Sequence, residues 1–196
     1  MNPQRTVGQY RALDLGLFAV MLMVFESLTV IAARRWFPNE PYTVSVVPAV
    51  TAIVLMRWGP WAAIHAALGG AVFCFMSGAK PMHYAVYIVG NLASLAALGL
   101  MKVWTAEGIR ESASKSLLFA LVVTLLMQAG RAVISLLFGA GLSGALGFFT
   151  TDAITALFTL VVIWIARRLD GIFENQKHYL RRIHAQEEED YGMRGD

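Results

Sequence analysis

The sequence predicts an all-α integral membrane protein with six transmembrane helices and both termini in the cytoplasm. Three observations carry that prediction. Of the 196 residues 57% are hydrophobic and only 15% charged, where soluble domains carry roughly a quarter charged residues. The mean hydropathy is correspondingly high, +0.58. Apolar runs recur between short polar or Gly/Pro corners, and the length leaves room for about six spans of roughly 20 residues. The cations are also unevenly placed. With both ends inside, twelve of the sixteen Lys and Arg fall on the cytoplasmic side and three outside (Arg34, Arg35 and Lys80), while Arg131 lies within a span. Cytoplasmic loops of membrane proteins collect Lys and Arg. An odd number of helices would destroy that alternation.

These spans make one membrane domain, residues 1–168, followed by a cytoplasmic tail, 169–196. No stretch is long and polar enough for a separate soluble domain. The net charge of +3 belongs to the membrane topology and does not point to nucleic acid. The single Cys74 sits in an apolar run, which excludes a disulfide framework and fits a small buried hydrophobe.

The first helix is predicted over 13–33, after a polar start carrying Arg5 and Arg11. Its apolar run from Leu15 to Ala33 is too long for a signal-peptide core and ends in Arg34 and Arg35 without a small-residue cleavage site, so it is retained. It contains Glu26, which is costly in lipid unless paired or protonated. The corner 34–42, RRWFPNEPY, holds Pro38 and Pro41 and cannot continue a helix. The second helix, 43–57, is short. It turns through RWGPW, where Gly59 permits a tight bend, Pro60 suits a helix start, and Trp58 and Trp61 suit the headgroup zone.

The third helix, 61–76, repeats small residues every fourth position (Ala62, Ala66, Gly70 and Ala63, Ala67, Ala71), which allows close helix approach. After the corner 77–83 comes a fourth helix, 84–101, and then the most polar internal loop, 102–115. The fifth helix, 116–138, is interrupted by Gln128 and Arg131. The Gly-rich corner 139–147 lacks the Lys-Ser/Thr ending of a phosphate-binding loop. The sixth helix, 148–166, opens with Thr150, Thr151 and Asp152. From Arg167 the helical pattern continues, with Leu169, Ile172, Phe173, Leu180 and Ile183 able to share a face. It reads either as an extension of the last helix along the membrane surface or as a solvated helical tail. The acidic run 187–190 is expected to be disordered.

Function is carried by the polar residues that lipid would penalise. Tyr84, Tyr87 and Asn91 recur at i, i+3 and i+7, as do Gln128, Arg131 and Ser135, and the same face of the last helix carries Asp152, Thr155 and Thr159. All lie in the outer halves of their helices. Such stripes face protein, water or a ligand, and their confinement to one leaflet predicts a cavity open to the outside, covered by the three outer corners. Tyr84, Tyr87 and Trp36 would offer flat walls, and Asn91, Gln128 and Thr155 would orient polar groups. The guanidinium of Arg131 either contacts the ligand, which would favour a carboxylate or other anion, or pairs internally with Asp152 or Glu26. Both hold if Asp152 occupies Arg131 while the site is empty. His65 reads as a hydrogen-bonded packing residue and His83 as an outer-corner residue. No HExxH, GxSxG or CxxC occurs, so metal sites, cofactors and catalysis have no support. Without an ATP-binding motif, active transport would need another chain.

RALDLGLFAVML near the start, PYTVSVVPAVTAIVLMRWGPWAAIHAALGGAVF, and YAVYIVGNL resemble the substrate-binding S components of energy-coupling factor (ECF) vitamin transporters. The likeness lies in a short helix pair with a tight inner Gly-Pro turn, followed by a helix that opens with Tyr and carries Gly-Asn. It implies a six-helix protein of a prokaryotic cytoplasmic membrane. Such a protein captures a vitamin or precursor at the outer side. It then docks on a transmembrane coupling subunit with two ATPases and topples to release the solute inward. The resemblance also implies docking through small residues on the first helix, here Ala12, Gly16 and Ala19, with one glycine in place of an alanine. Ala62 and Ala66 on the third helix could either extend that surface or pack internally. The competing expectation is a membrane scaffold of the rod-shape-determining type, with partner-facing surfaces and no outer cavity.

Overall fold

The computed structural model describes residues 6–40 and 43–193. Arg5, Pro41 and Tyr42, used above, lie outside the described residues. The chain is all-helical, with no strand among the described residues. In order come α1 (Val7–Trp36), α2 (Val47–Trp58), α3 (Ala62–Ser77), α4 (Pro81–Asn91), α5 (Leu98–Trp104), α6 (Ala106–Glu111), α7 (Ala113–Leu137), α8 (Leu142–Thr151), α9 (Ala153–Ala166) and α10 (Gln176–Met193). Short 3-10 turns join α2 to α3 and α4 to α5. Five stretches are long and apolar enough to cross a membrane: Val7–Trp36, Val47–Ser77, Pro81–Trp104, Ala113–Leu137 and Leu142–Ala166. The molecule is an all-α, multi-pass membrane protein.

The stretch Val47–Ser77 is folded on itself. Gly59 closes α2 with φ 61°, a conformation that residues with a Cβ resist, and Pro60 starts the return. An added Cβ on Gly69 would lie 2.5 Å from Val47. Twenty-two residues of continuous helix would separate those positions by about 33 Å, so α2 and α3 form an antiparallel hairpin. The corners 34–40, 77–80 and 138–141 gather at one end of the bundle, where Arg34 donates to the Met76 carbonyl at 2.8 Å and Tyr87 meets Phe148 edge to face. The turn at 59–61, the segment 105–112 and the chain after Ala166 gather at the other. The corners fall into the two groups that charge assigns to opposite sides, named the outer and inner ends after that expectation.

α4 and α7 cross almost backbone to backbone. A Cβ on Gly130 would fall 2.1 Å from the Gly90 carbonyl oxygen, and one on Gly90 would fall 2.7 Å from the Arg131 backbone. That crossing decides which polar positions can meet.

Several boundaries differ from expectation, each for a local reason. The first helix begins six residues earlier, because Thr6 and Gln9 form a reciprocal capping box. The fourth predicted helix starts at Pro81, whose missing N–H costs nothing at a helix start, and tightens to 3-10 geometry over Leu92–Ala97. The Gly-rich corner is largely helical, since α8 starts at Leu142, and the last predicted helix is broken at Asp152. The tail does not prolong α9. After Ala166 it turns back under the bundle and buries Phe173 against Phe119, ring centroids 6.4 Å apart. The expected disordered run 187–190 lies within α10.

Candidate functional site

Arg131, one residue beyond the α4–α7 crossing, is 3% exposed. Its Nε donates to Asn91 Oδ1 at 2.7 Å, and its Nη1 donates to Asp152 Oδ2 at 2.7 Å and to Gln128 Oε1 at 3.2 Å. Its guanidinium carbon lies 4.5 Å from the Tyr87 ring centroid, within cation–π range. Gln128 Nε2 donates to the same Asp152 oxygen at 2.6 Å, while Asn91 Nδ2 donates to the Ala66 carbonyl at 2.9 Å. The break between α8 and α9 puts Asp152, itself 6% exposed, where α7 can reach it.

The network runs on through the outer corner. Thr43 Oγ1 donates to Asp152 Oδ1. Thr155 Oγ1 donates to the Thr43 carbonyl at 3.0 Å and accepts from the Ser45 N–H at 3.1 Å. Ser45 Oγ and the Val46 N–H both donate to Glu26 Oε2, at 3.0 and 2.9 Å. Polar groups from five helices (α1, α3, α4, α7 and α9), from the segment before α2 and from the α8–α9 break thus share one buried chain from Ala66 to Glu26. Two atoms in this region are buried without a partner among the described residues: Glu26 Oε1 and Thr159 Oγ1. Buried polar atoms are almost always satisfied, so these two are open valences of the network.

A cavity of about 180 Å³ lies against this network, bounded by Val30, Arg34, Phe37, Glu40, Thr43 and Phe73. Phe73 stacks on Tyr87 with centroids 4.6 Å apart, so the cavity wall is tied to the ring over Arg131. A larger hollow of about 370 Å³ opens at the inner end between α6 and the tail, around Thr105, Arg110, Glu174 and His178. Its charges pair with one another, as in Arg110 to Glu174 at 3.0 Å. The outer cavity is the better candidate despite its size, because Thr43 joins its lining to the buried network.

The structure brings together Arg131, Asp152, Asn91, Gln128, Thr155 and Tyr87, all expected from sequence. Two expected residues stand apart. Tyr84 is half-buried one turn beyond Tyr87 and makes none of these contacts, and Trp36 is 70% exposed. The position of Trp36 at the end of α1 points it out of the bundle, so it is not a cavity wall. Of the expected docking residues, Ala12 and Gly16 are exposed and Ala19 is half-buried, with nothing within 4 Å of a Cβ added at Gly16. Ala62 and Ala66 are fully buried. Ala66 faces α4 and accepts from Asn91, so both alanines serve internal packing and drop out of the docking surface. His65 lies 3.0 Å from the Leu15 carbonyl oxygen, the packing role expected of it.

Thr43, Ser45, Phe73 and the pairing of Glu26 escaped the sequence reading. The only available signal was the Thr-Val-Ser run between Pro41 and Pro48, which places two hydroxyls at the mouth of a short helix. No known protein family, characterised protein or solved structure matches this chain.

Proposed function

We propose that this chain is the membrane-embedded solute-capturing subunit of an importer, of the S-component type. It would cross the membrane six times, with α2 and α3 as separate short spans and both termini cytoplasmic. One observation carries the reading: a cavity lined by Phe37 and Phe73 meets, at Thr43, a buried polar network from five helices that still has unfilled valences. Thr43 belongs to both, lining the cavity and donating to Asp152. A small molecule entering there would touch Thr43 and disturb its bonds to Thr155 and Asp152, so capture would be coupled to the position of Thr43. Arg131, Gln128, Asn91 and Asp152 hold the floor, and Tyr87 holds Phe73. The solute would be a vitamin or precursor. Release inward would require a coupling subunit and ATPases, met through the exposed small-residue face at Ala12 and Gly16.

Mass spectrometry of small molecules released from the purified protein tests the capture step, and a discrete metabolite is expected at near-stoichiometric yield. Gly16→Trp tests docking. It should leave solute binding intact and reduce uptake in reconstituted vesicles at least tenfold; unchanged uptake would remove α1 as the docking face. A scaffold role has one observation in its favour, the internal pairing of Arg131 with Asp152. It predicts that nothing is released and nothing binds.

A further inference from the structure

We infer that Glu26 receives a positively charged nitrogen of the captured solute, so the chain takes a small cation and not an anion; this rests on the solute-capture reading above. Within the buried network Arg131 and Asp152 neutralise each other across 2.7 Å. Glu26 is fully buried and stands in no ion pair among the described residues. With Glu26 ionised, the surplus charge of the network is negative.

The second step is hydrogen bonding. Glu26 Oε2 takes the Ser45 hydroxyl and the Val46 N–H, while Oε1 has no partner and no exposure. A carboxyl isolated in a low-dielectric interior either keeps its proton or takes a counter-charge. A cationic donor on Oε1 would satisfy both the valence and the charge of the ionised form.

The third step is position. Val30, one helical turn from Glu26 on α1, lines the outer cavity, and so do Thr43 and Val44, which run straight into Ser45 and Val46. Glu26 itself does not line the cavity and stands one turn before Val30. Phe73 and Phe37 do line it, and aromatic rings attract cations. The charges on the lining, Arg34 and Glu40, offset each other, and Arg34 is already held on the Met76 carbonyl. The cavity is smaller than the ~300–1,000 Å³ of common ligand sites, which limits its occupant to about one substituted ring unless the corner moves.

An anion fares worse. Arg131 Nη2 makes no hydrogen bond among the described residues, but an anion there would share a single guanidinium with Asp152. The attraction of Arg131 for anions, evident from sequence, is consumed by Asp152.

The test is equilibrium binding in detergent with thiamine and pyridoxamine as cationic probes and nicotinate, pantothenate and biotin as anionic ones. Wild type, Glu26→Gln and Glu111→Gln are compared, Glu111 being an exposed carboxylate away from the cavity. A cationic probe should bind wild type and lose at least tenfold in affinity with Glu26→Gln but less than threefold with Glu111→Gln. Without probe, Glu26→Gln should melt no lower than wild type, since the amide keeps the bonds to Ser45 and Val46 and removes the surplus charge; a lower melting temperature would give Glu26 a structural role instead. Binding of an anionic probe only, or cation binding indifferent to Glu26→Gln, overturns the inference and leaves solute capture standing. Binding by no probe counts against solute capture itself, and this inference falls with it.

Discussion

The two ends of the molecule each bury an arginine against an aspartate, and they use it differently. At the inner end Arg57 binds Asp14 of α1, with Nη2 to Oδ1 at 2.5 Å and Nε to Oδ2 at 2.8 Å. It also donates to the backbone carbonyls of Gly171 and Ile172. Trp58 adds a bond to Asp14 at 2.6 Å, and Phe18 lies 5.1 Å from the Arg57 guanidinium carbon. These partners are one bidentate carboxylate and two main-chain oxygens, and the result is a clasp that ties α1, the α2–α3 turn and the returning tail together. At the outer end Arg131 is held by side chains alone, from three separate elements, and the chain of bonds it begins ends on an unpartnered carboxylate oxygen. A clasp closes on itself, whereas a network that ends in an open valence has room for another molecule.

Three substitutions break or sharpen that contrast. The largest effect belongs to Asp152→Ala, which strands the Arg131 charge in the interior and should cost about 3–5 kcal/mol, read as a fall in melting temperature in detergent. Adding Arg131→Met should recover most of that loss, because removing both charges of a buried pair is often close to neutral. Solute binding should stay lost in the double variant. If the double variant regained stability and bound solute normally, the network would be no more than a second clasp.

Arg57→Gln should cost about 2 kcal/mol, in the range of lost hydrogen bonds to a charged group. Its particular signature is at the chain end. Trypsin cleavage at Arg167 and Arg168 should accelerate, while solute affinity stays within twofold of wild type. A loss of affinity equal to that of the Asp152 variant would mean that the ends act as one unit. The smallest effect is expected for Arg182→Ala on α10, whose exposed pairs with Asp170 and Glu174 span 2.9 and 3.2 Å. Such surface pairs contribute under about 1 kcal/mol and are screened by salt. The melting temperature should shift by no more than a few degrees, and less in high salt.

The candidate site was legible to the depth of one helix at a time. Each polar stripe could be read from i, i+3, i+7 spacing, but membership in the site could not. Asn91 and Tyr87 belong to it and Tyr84 does not. Gln128 and Arg131 belong, while Ser135 turns back to its own helix and donates to the Ala132 carbonyl at 2.8 Å. The reason is the crossing at Gly90 and Gly130. Side chains within about a turn of a close crossing meet, and those farther out diverge with the helix axes. Glycines along two apolar helices suggest close approach but do not say which glycine faces which.

Periodicity and charge, both local properties of the chain, determined the all-helical class, the approximate helical segments, the tight turn at Gly59, and the identity of the polar residues that lipid would reject. The pairing choices required the assembled bundle. Arg131 had two carboxylates to choose from, and the break at Asp152 together with Thr43 decided for Asp152, leaving Glu26 to two donors at the mouth of α2. The fate of Ala62 and Ala66 and the inward turn of the tail were decided at the same level. A sequence records which groups must find partners in a low-dielectric interior; which partner each one finds is a matter of distance, and distances between helices exist only once the helices have packed.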